Sequence, residues 1–264
     1  MSLVRDLINL DVYPLDRPES SGFRDLVATC KAALAKDGLF NLPGFVRPAA
    51  LERAVRELSP LFEHHSFVHA RRHNIYFRKH VEDVDATHPA LREFETFNRT
   101  VCADQMGRAV VIRLYEWPAF ANFLSKVMGK DRLFTMADPL ARVNAMSYGD
   151  GEALNWHFDR SEFTTTLLLQ APEYGGDFEY DQDLRTDVDP NYGGVVDLLE
   201  GRRSPTRLAL EPGTLNVFKG KNTAHRATPT MGPKARMIAV FSFYETEGVE
   251  FSDEERIGFY GRSA

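Results

Sequence analysis

Tyr148-Gly149-Asp150-Gly151-Glu152-Ala153-Leu154-Asn155-Trp156-His157-Phe158-Asp159 is the stretch from which the rest of the chain is read. Side chains on a β-strand alternate between faces, so His157 and Asp159 project to the same side. An imidazole and a carboxylate on one face can take two adjacent positions around a metal ion. The His-x-Asp pattern alone is common, and it reads equally as a surface strand or a capped turn. A second imidazole from elsewhere would give it meaning. His225, in Ala224-His225-Arg226-Ala227-Thr228-Pro229-Thr230, stands just before an apolar strand-like run. Two histidines and one carboxylate on one face of an octahedron leave three positions open, a geometry suited to iron(II).

Around this stretch the chain changes character. Short β-branched and aromatic segments at 141–148, 163–170, 176–180, 206–210, 214–218 and 236–244 are punctuated by Gly, Pro and Asp. Many short strands with turn signals between them point to a double-sheet jelly roll. Upstream, apolar residues fall at helical spacing over 23–36, with Gly38 as a stop, and Pro48 suits the first turn of a helix over 48–59. Further helices are expected over 88–107 and from Trp117-Pro118 to 128. The fold class is therefore mainly β with a helical flank (α+β). We expect a single domain over 1–264, with 1–135 mainly helical support and 136–248 a cupin-like, double-stranded β-helix core. Residues 181–205 read as a long polar insertion, either an active-site lid or a disordered excursion.

Several ordered motifs carry a resemblance. Tyr148-x-x-Gly151 precedes His157-x-Asp159. Tyr174-Gly175-Gly176-Asp177-Phe178 opens the next core strand. Pro212-Gly213-Thr214, with Val217-Phe218, precedes the strand of the distal histidine. His225-Arg226-Ala227-Thr228-Pro229 leads on to Gly232 and Arg236. Over 141–244 the chain resembles the prolyl-4-hydroxylase-like branch of the 2-oxoglutarate/iron(II) oxygenase superfamily. The resemblance implies a jelly-roll core, Fe(II) held by His157, Asp159 and His225, and 2-oxoglutarate and O2 as cosubstrates. It places Arg236 on the distal carboxylate of 2-oxoglutarate, where a planar guanidinium suits bidentate recognition. The alternatives are a surface arginine at a strand start, or Lys234 as the competing cation. Tyr148 and, less directly, Asn144 are the further cosubstrate candidates, with a plain core tyrosine as the other reading of Tyr148.

The implied reaction is oxidative decarboxylation of 2-oxoglutarate to succinate and CO2, coupled to hydroxylation of an unactivated C–H bond. The length, the helical first half and the ending Glu255-Arg256-Ile257-Gly258-Phe259-Tyr260-Gly261-Arg262 are also similar to a subgroup of oxygenases acting on free amino acids. That subgroup contains hydroxylases and radical halogenases, and the halogenases carry Gly or Ala in place of the carboxylate ligand. Asp159 is retained here, which favours hydroxylation. The basic, aromatic stretch 69–78 and Arg160 offer substrate contacts, with Arg72, His73 and Arg160 the named candidates against a solvated cationic loop. Rival readings are a hydroxylase of a protein side chain or nucleic-acid base, a degenerate metal-binding β-sandwich, and a zinc hydrolase.

Composition narrows the partners. The 264 residues are 43% hydrophobic and 27% charged, with a formal net charge of −6. That balance weighs against a generic nucleic-acid binder. Cys30 and Cys102 form no CxxC pair, so they read as reduced, buried thiols. Six further histidines, at 64, 65, 69, 73, 80 and 88, share no ligand spacing with a carboxylate. The N-terminus has no apolar signal region and no run is long enough to span a bilayer. A cytoplasmic protein acting on an amino-acid-like small molecule is the expectation, with its oligomeric state open.

Overall fold

A computed structural model describes residues 2–78, 81 and 84–263. The chain runs through α1 (Ser2–Arg5), α2 (Ser21–Asp37), β1 (Leu39–Leu42), α3 (Pro48–His64), β2 (Phe67–His73), β3 (Phe94–Cys102), α4 (Val110–Tyr115), α5 (Pro118–Met128) and β4 (Phe134–Thr135). It continues through β5 (Val143–Tyr148), β6 (Leu154–His157), β7 (Thr164–Gln170), β8 (Tyr174–Gly175), β9 (Phe178–Asp181) and α6 (Tyr192–Leu199). The remaining elements are β10 (Thr206–Leu208), β11 (Leu215–Phe218), β12 (Ala224–Ala227), β13 (Thr230–Met231), β14 (Arg236–Phe241), β15 (Phe243–Tyr244) and α7 (Asp253–Tyr260).

Seven antiparallel strands form the major sheet in the order β1-β11-β7-β14-β5-β3-β2, and four form the minor sheet in the order β10-β9-β12-β6. Aromatic contacts join the two sheets, with Phe178 of β9 4.9 Å and His225 of β12 4.7 Å from the ring of Phe218 on β11. This is the jelly-roll arrangement anticipated from the spacing of the short strands.

The two faces of the major sheet differ in chemistry. Val101, Val143, Ala145, Leu167, Val217, Ala239 and Phe241 share a buried cluster with Phe23, Leu58, Phe120 and Phe123 of the helices. Each large apolar side chain buried there contributes about 1.5–3 kcal/mol. The residues alternating with them, Asn98, Thr100, Asn144, Asn216 and Arg236, face the other way and are nearly as buried. Burying polar groups is costly unless something answers them. The Oδ1 atoms of the cross-strand neighbours Asn41 and Asn216 have no hydrogen-bond partner among the described residues.

Two expectations need correction. Residues 88–107 are not a helix: a short 3-10 turn at Pro89–Leu91 leads into β3. Phe94, Phe97 and Val101 recur at a spacing that imitates a helical stripe, but Thr96, Asn98 and Thr100 form a buried strand face between them. With β1 and β2, this segment gives the major sheet three strands from the first half of the chain. Residues 181–205 are not a disordered excursion. The Asn191 side chain caps α6 by accepting from the Gly194 amide, and Val195, Leu198 and Leu199 pack with Trp156, Phe158, Ile75 and Tyr76. Trp156, next to His157 in sequence, is therefore a core residue. Among the described residues, no helix is long and apolar enough to cross a membrane.

Candidate metal centre

His157 closes β6, and its antiparallel neighbour on β12 is His225. The two imidazole centroids are 4.1 Å apart. Nε2 of His157 lies 3.4 Å from Oδ1 of Asp159, and Nε2 of His225 lies 3.3 Å from Oδ2. Among the described residues, this is the only group of three or more potential ligands whose donor atoms all fall within 4.8 Å of one another. His80 lies outside the described residues, and the other five N-terminal histidines join no such group.

Backbone carbonyls set the direction of both imidazoles. Nδ1 of His157 is 2.8 Å from the Asn155 carbonyl, and Nδ1 of His225 is 3.0 Å from that of Thr223. With Nδ1–H donating, each Nε2 lone pair is left to face the shared space. Burial, reinforced by His225, lowers the pKa of His157 and favours its neutral form. Burial alone would raise the Asp159 carboxyl, but the facing imidazoles outweigh it and hold that group well below the usual range. Neutral imidazole and ionised carboxylate are the forms that bind metal. The donor set has no thiolate, since Cys30 and Cys102 are buried elsewhere, and it suits iron(II).

Two residues with no sequence signal complete the support. The Thr164 hydroxyl donates to Oδ2 of Asp159 at 2.5 Å. The Asp159 amide donates to the Gly220 carbonyl at 3.0 Å, and a Cβ on Gly220 would lie 2.1 Å from Oδ2 of Asp159. Gly220 is thus needed for close approach. Gly220→Ala is expected to displace the carboxylate and weaken iron affinity roughly 10- to 100-fold. Iron(II) titration followed by a melting curve checks this, since the fold should survive.

Arg236 is buried, whereas Lys234 is exposed. Arg236 pairs directly with Tyr148 across β14 and β5, and its guanidinium lies 5.7 Å from the Tyr148 ring centroid. Its Nε donates to the Gly176 carbonyl at 2.9 Å. Gly176 has φ 66°, and a Cβ there would sit 2.9 Å from Arg236 Cδ, which accounts for the second glycine after Tyr174. No carboxylate pairs with Arg236 among the described residues, and burial lowers its pKa. Burial pushes the Tyr148 hydroxyl up to about 12. Asn144 shares the Tyr148 face but is engaged by the protein itself. Its amide nitrogen donates to the Leu140 carbonyl at 3.0 Å, and its oxygen accepts from the Tyr260 hydroxyl at 2.9 Å. It ties α7 to the sheet.

The substrate candidates separate by strand register. Arg72 points to solvent and faces Glu93 at 3.4 Å, and Arg160 is 71% exposed and bound to Glu255. Neither reaches the ligand cluster. Phe67, His69, Arg71 and His73 form the inward side of β2. His73 Nε2 lies 2.7 Å from the Thr96 hydroxyl, and its ring stacks on Phe77 at 4.3 Å. Phe77 in turn meets His157 edge-on at 5.7 Å. Phe77 holds φ 54°, rare outside glycine. Asn74 secures that turn: its side chain donates to the Arg78 carbonyl and accepts from the Tyr76 and Arg78 amides. Arg71, Asn74 and Phe77 fall within the stretch 69–78 read as a substrate contact but were not named individually, because nothing fixes the register of a polar strand such as His69-Ala70-Arg71-Arg72-His73.

Burial lowers the His73 pKa to about 4, with Arg71, His69 and His157 opposing its charge and the Asn74 carbonyl partly offsetting them. The unfolded chain takes up this proton near pH 6.5, the folded protein only near 4. Folding stability is therefore expected to fall as pH drops through that window, with His69 and His157 adding in the same sense. His73→Gln should flatten the dependence, read from denaturant midpoints at pH 7 and 4.5.

Solved structures with this fold include a 2OG-Fe(II) oxygenase family oxidoreductase from Burkholderia pseudomallei (14% identity, 84% of this chain and 92% of that one, TM-score 0.51). The epimerase SnoN in complex with Fe3+, alpha ketoglutarate and nogalamycin RO is also similar (16%, 83% and 84%, TM-score 0.54). So is a Trichoplax adhaerens prolyl hydroxylase in complex with a peptide of hypoxia inducible factor (11%, 86% and 94%, TM-score 0.53). No curated protein matches the chain. Residues 24–255 match the model of the Halogenase D (HalD) family, and the chain, with its oxygenase jelly roll and His157–Asp159–His225 cluster, belongs to that family.

Proposed function

We propose that the protein is an iron(II)- and 2-oxoglutarate-dependent oxygenase that hydroxylates an unactivated C–H bond of an amino-acid-like small molecule. The observation that carries this is the pairing of two buried features. Two imidazole Nε2 atoms and one carboxylate converge at His157, Asp159 and His225, and a buried guanidinium without an acidic partner among the described residues stands on the facing sheet at Arg236. An unanswered buried cation is costly, and a dicarboxylate bridging from the metal would answer it.

Iron held by His157, Asp159 and His225, with 2-oxoglutarate and dioxygen, would supply the oxidising power, with succinate and CO2 as the coproducts. The chain's own work is positional. Arg236 receives the distal carboxylate while its Nε stays anchored on Gly176. Tyr148, buried beside it, offers a hydroxyl to the same group. Thr164 and Gly220 hold Asp159 in place. The apolar Met146, Leu168 and Ile238 that cluster with Tyr148 keep water from the chelate.

The family name points to halogenation, but Asp159 argues for hydroxylation. Its carboxylate would serve as a third protein ligand, where a halogenase would need room for a halide. The test is anaerobic addition of iron(II) and 2-oxoglutarate, followed by turnover of an amino-acid panel with and without chloride. A visible charge-transfer band, succinate release and a product heavier by one oxygen are expected, independent of chloride. Absence of the band from folded, iron-loaded protein would overturn the cosubstrate assignment. A chlorinated product would overturn hydroxylation.

A further inference from the structure

We propose that Arg71 is the residue that selects the substrate, by gripping a carboxylate of a small organic acid beside the metal. The inference rests on the oxygenase reading above and assigns the charge and the anchor of the molecule that is oxidised.

Arg71 lies on the inward side of β2 and is partly buried. Burial lowers its pKa, so the surroundings penalise its charge. Among the described residues it has no carboxylate partner and no side-chain hydrogen bond; its recorded contact is with the Phe77 ring, 4.5 Å from the guanidinium carbon. The other face-sharing groups are His69 and His73, which cannot compensate a cation. By contrast, Arg72, Arg99 and Arg226 on the surrounding strands all sit against glutamates. A half-buried guanidinium with free donors is expensive to keep unless a ligand completes it.

Its position gives that ligand a place. The Phe77 ring that carries Arg71 also meets His157, so the guanidinium stands one aromatic ring away from the metal cluster. Asn74 locks the turn that presents Phe77. Tyr76 and Arg78, which flank Phe77 in sequence, line a cavity of about 360 Å³ together with Arg185, Asp187, Lys221 and Asn222, and there Asp187 is matched by Lys221 at 2.9 Å. The Arg185 guanidinium lies 4.0 Å from the Phe158 ring centroid. The excess of cations on that wall favours anions there.

One planar guanidinium matches one carboxylate through two parallel hydrogen bonds. A phosphate dianion would leave a charge unanswered here, because His73 is held neutral with both ring nitrogens engaged. The substrate is therefore a small carboxylic acid oxidised a few bonds from the carboxylate that Arg71 holds.

The experiment uses the full chain, loaded anaerobically with iron(II) and 2-oxoglutarate. The probes are the free L-amino acids, their carboxamides and a set of phosphate monoesters, and the readout is perturbation of the visible charge-transfer band. At least one amino acid is expected to shift the band, with its carboxamide roughly 10- to 100-fold weaker. Arg71→Gln should weaken the acid by a similar factor and leave the carboxamide unchanged, and Arg71→Lys should restore part of the loss. In both variants the band formed with 2-oxoglutarate alone should match wild type, which also reports that they fold. Equal binding of acid and amide, no loss in Arg71→Gln, no response to any acid, or preference for the phosphate monoesters overturns the assignment to Arg71 while leaving the oxygenase reading in place. Failure of the band to form with 2-oxoglutarate alone overturns that reading and this inference with it.

Discussion

His225→Ala is expected to lose tight iron binding, the charge-transfer band with 2-oxoglutarate, and turnover by about 1,000-fold or more. The imidazole supplies one of three protein ligands, and no other described side chain is placed to replace it. Its removal also leaves Asp159 without one of the two groups that hold it ionised. The ring stands between Phe178, at 5.8 Å, and Phe218, at 4.7 Å. Truncation therefore opens space in the sheet interface and should cost about 1–3 kcal/mol of folding stability. His225→Gln fills more of that space and separates the effects. It should melt closer to wild type and remain inactive. Appreciable turnover in His225→Ala would remove this histidine from the ligand set.

Arg236→Met should raise the dissociation constant for 2-oxoglutarate roughly 30- to 5,000-fold, the range for losing one partner of a buried, hydrogen-bonded charge pair. The effect on the protein without cosubstrate should be small. The wild-type guanidinium there has a hydrogen bond to Gly176 but no counter-charge among the described residues, so removing it relieves a desolvation cost as it deletes a contact. Melting curves distinguish the two states. Saturating 2-oxoglutarate at about 100 times its dissociation constant should stabilise iron-loaded wild type by about 2.7 kcal/mol, and this increment should nearly vanish in the variant. A preserved increment would place the distal carboxylate elsewhere.

The metal cluster was legible from the sequence because its geometry is local. A two-residue spacing on a strand fixes which side His157 and Asp159 share, and the ordered motifs up to Arg236 set the strands around them. The inner face of the sheet was not legible. Hydrophobic periodicity marks surfaces that leave water for an apolar core, and here the enclosed face is built from Thr96, Asn98, Thr100, Asn144 and Asn216. That polarity hid β3 behind a false helical stripe. It also hid the register of β2, where a shift of one position exchanges Arg72 for Arg71. Asn144 shows the same limit from the other side. Its placement beside Tyr148 was correct, but its partner Tyr260 comes from a helix more than a hundred positions away, and no local pattern announces such a contact.

The two unlike faces of the major sheet carry a consequence for how such a protein changes over generations. Folding rests on the side that meets the helices, whereas selectivity rests on the side that meets the ligand. Substitutions on the second side spend little of the reserve held by the first, so a lineage can trial new inner residues on an inherited chassis. Paired substitutions drawn from opposite faces and well separated should have additive effects on stability, and the scaffold should outlast the particular molecule it first oxidised.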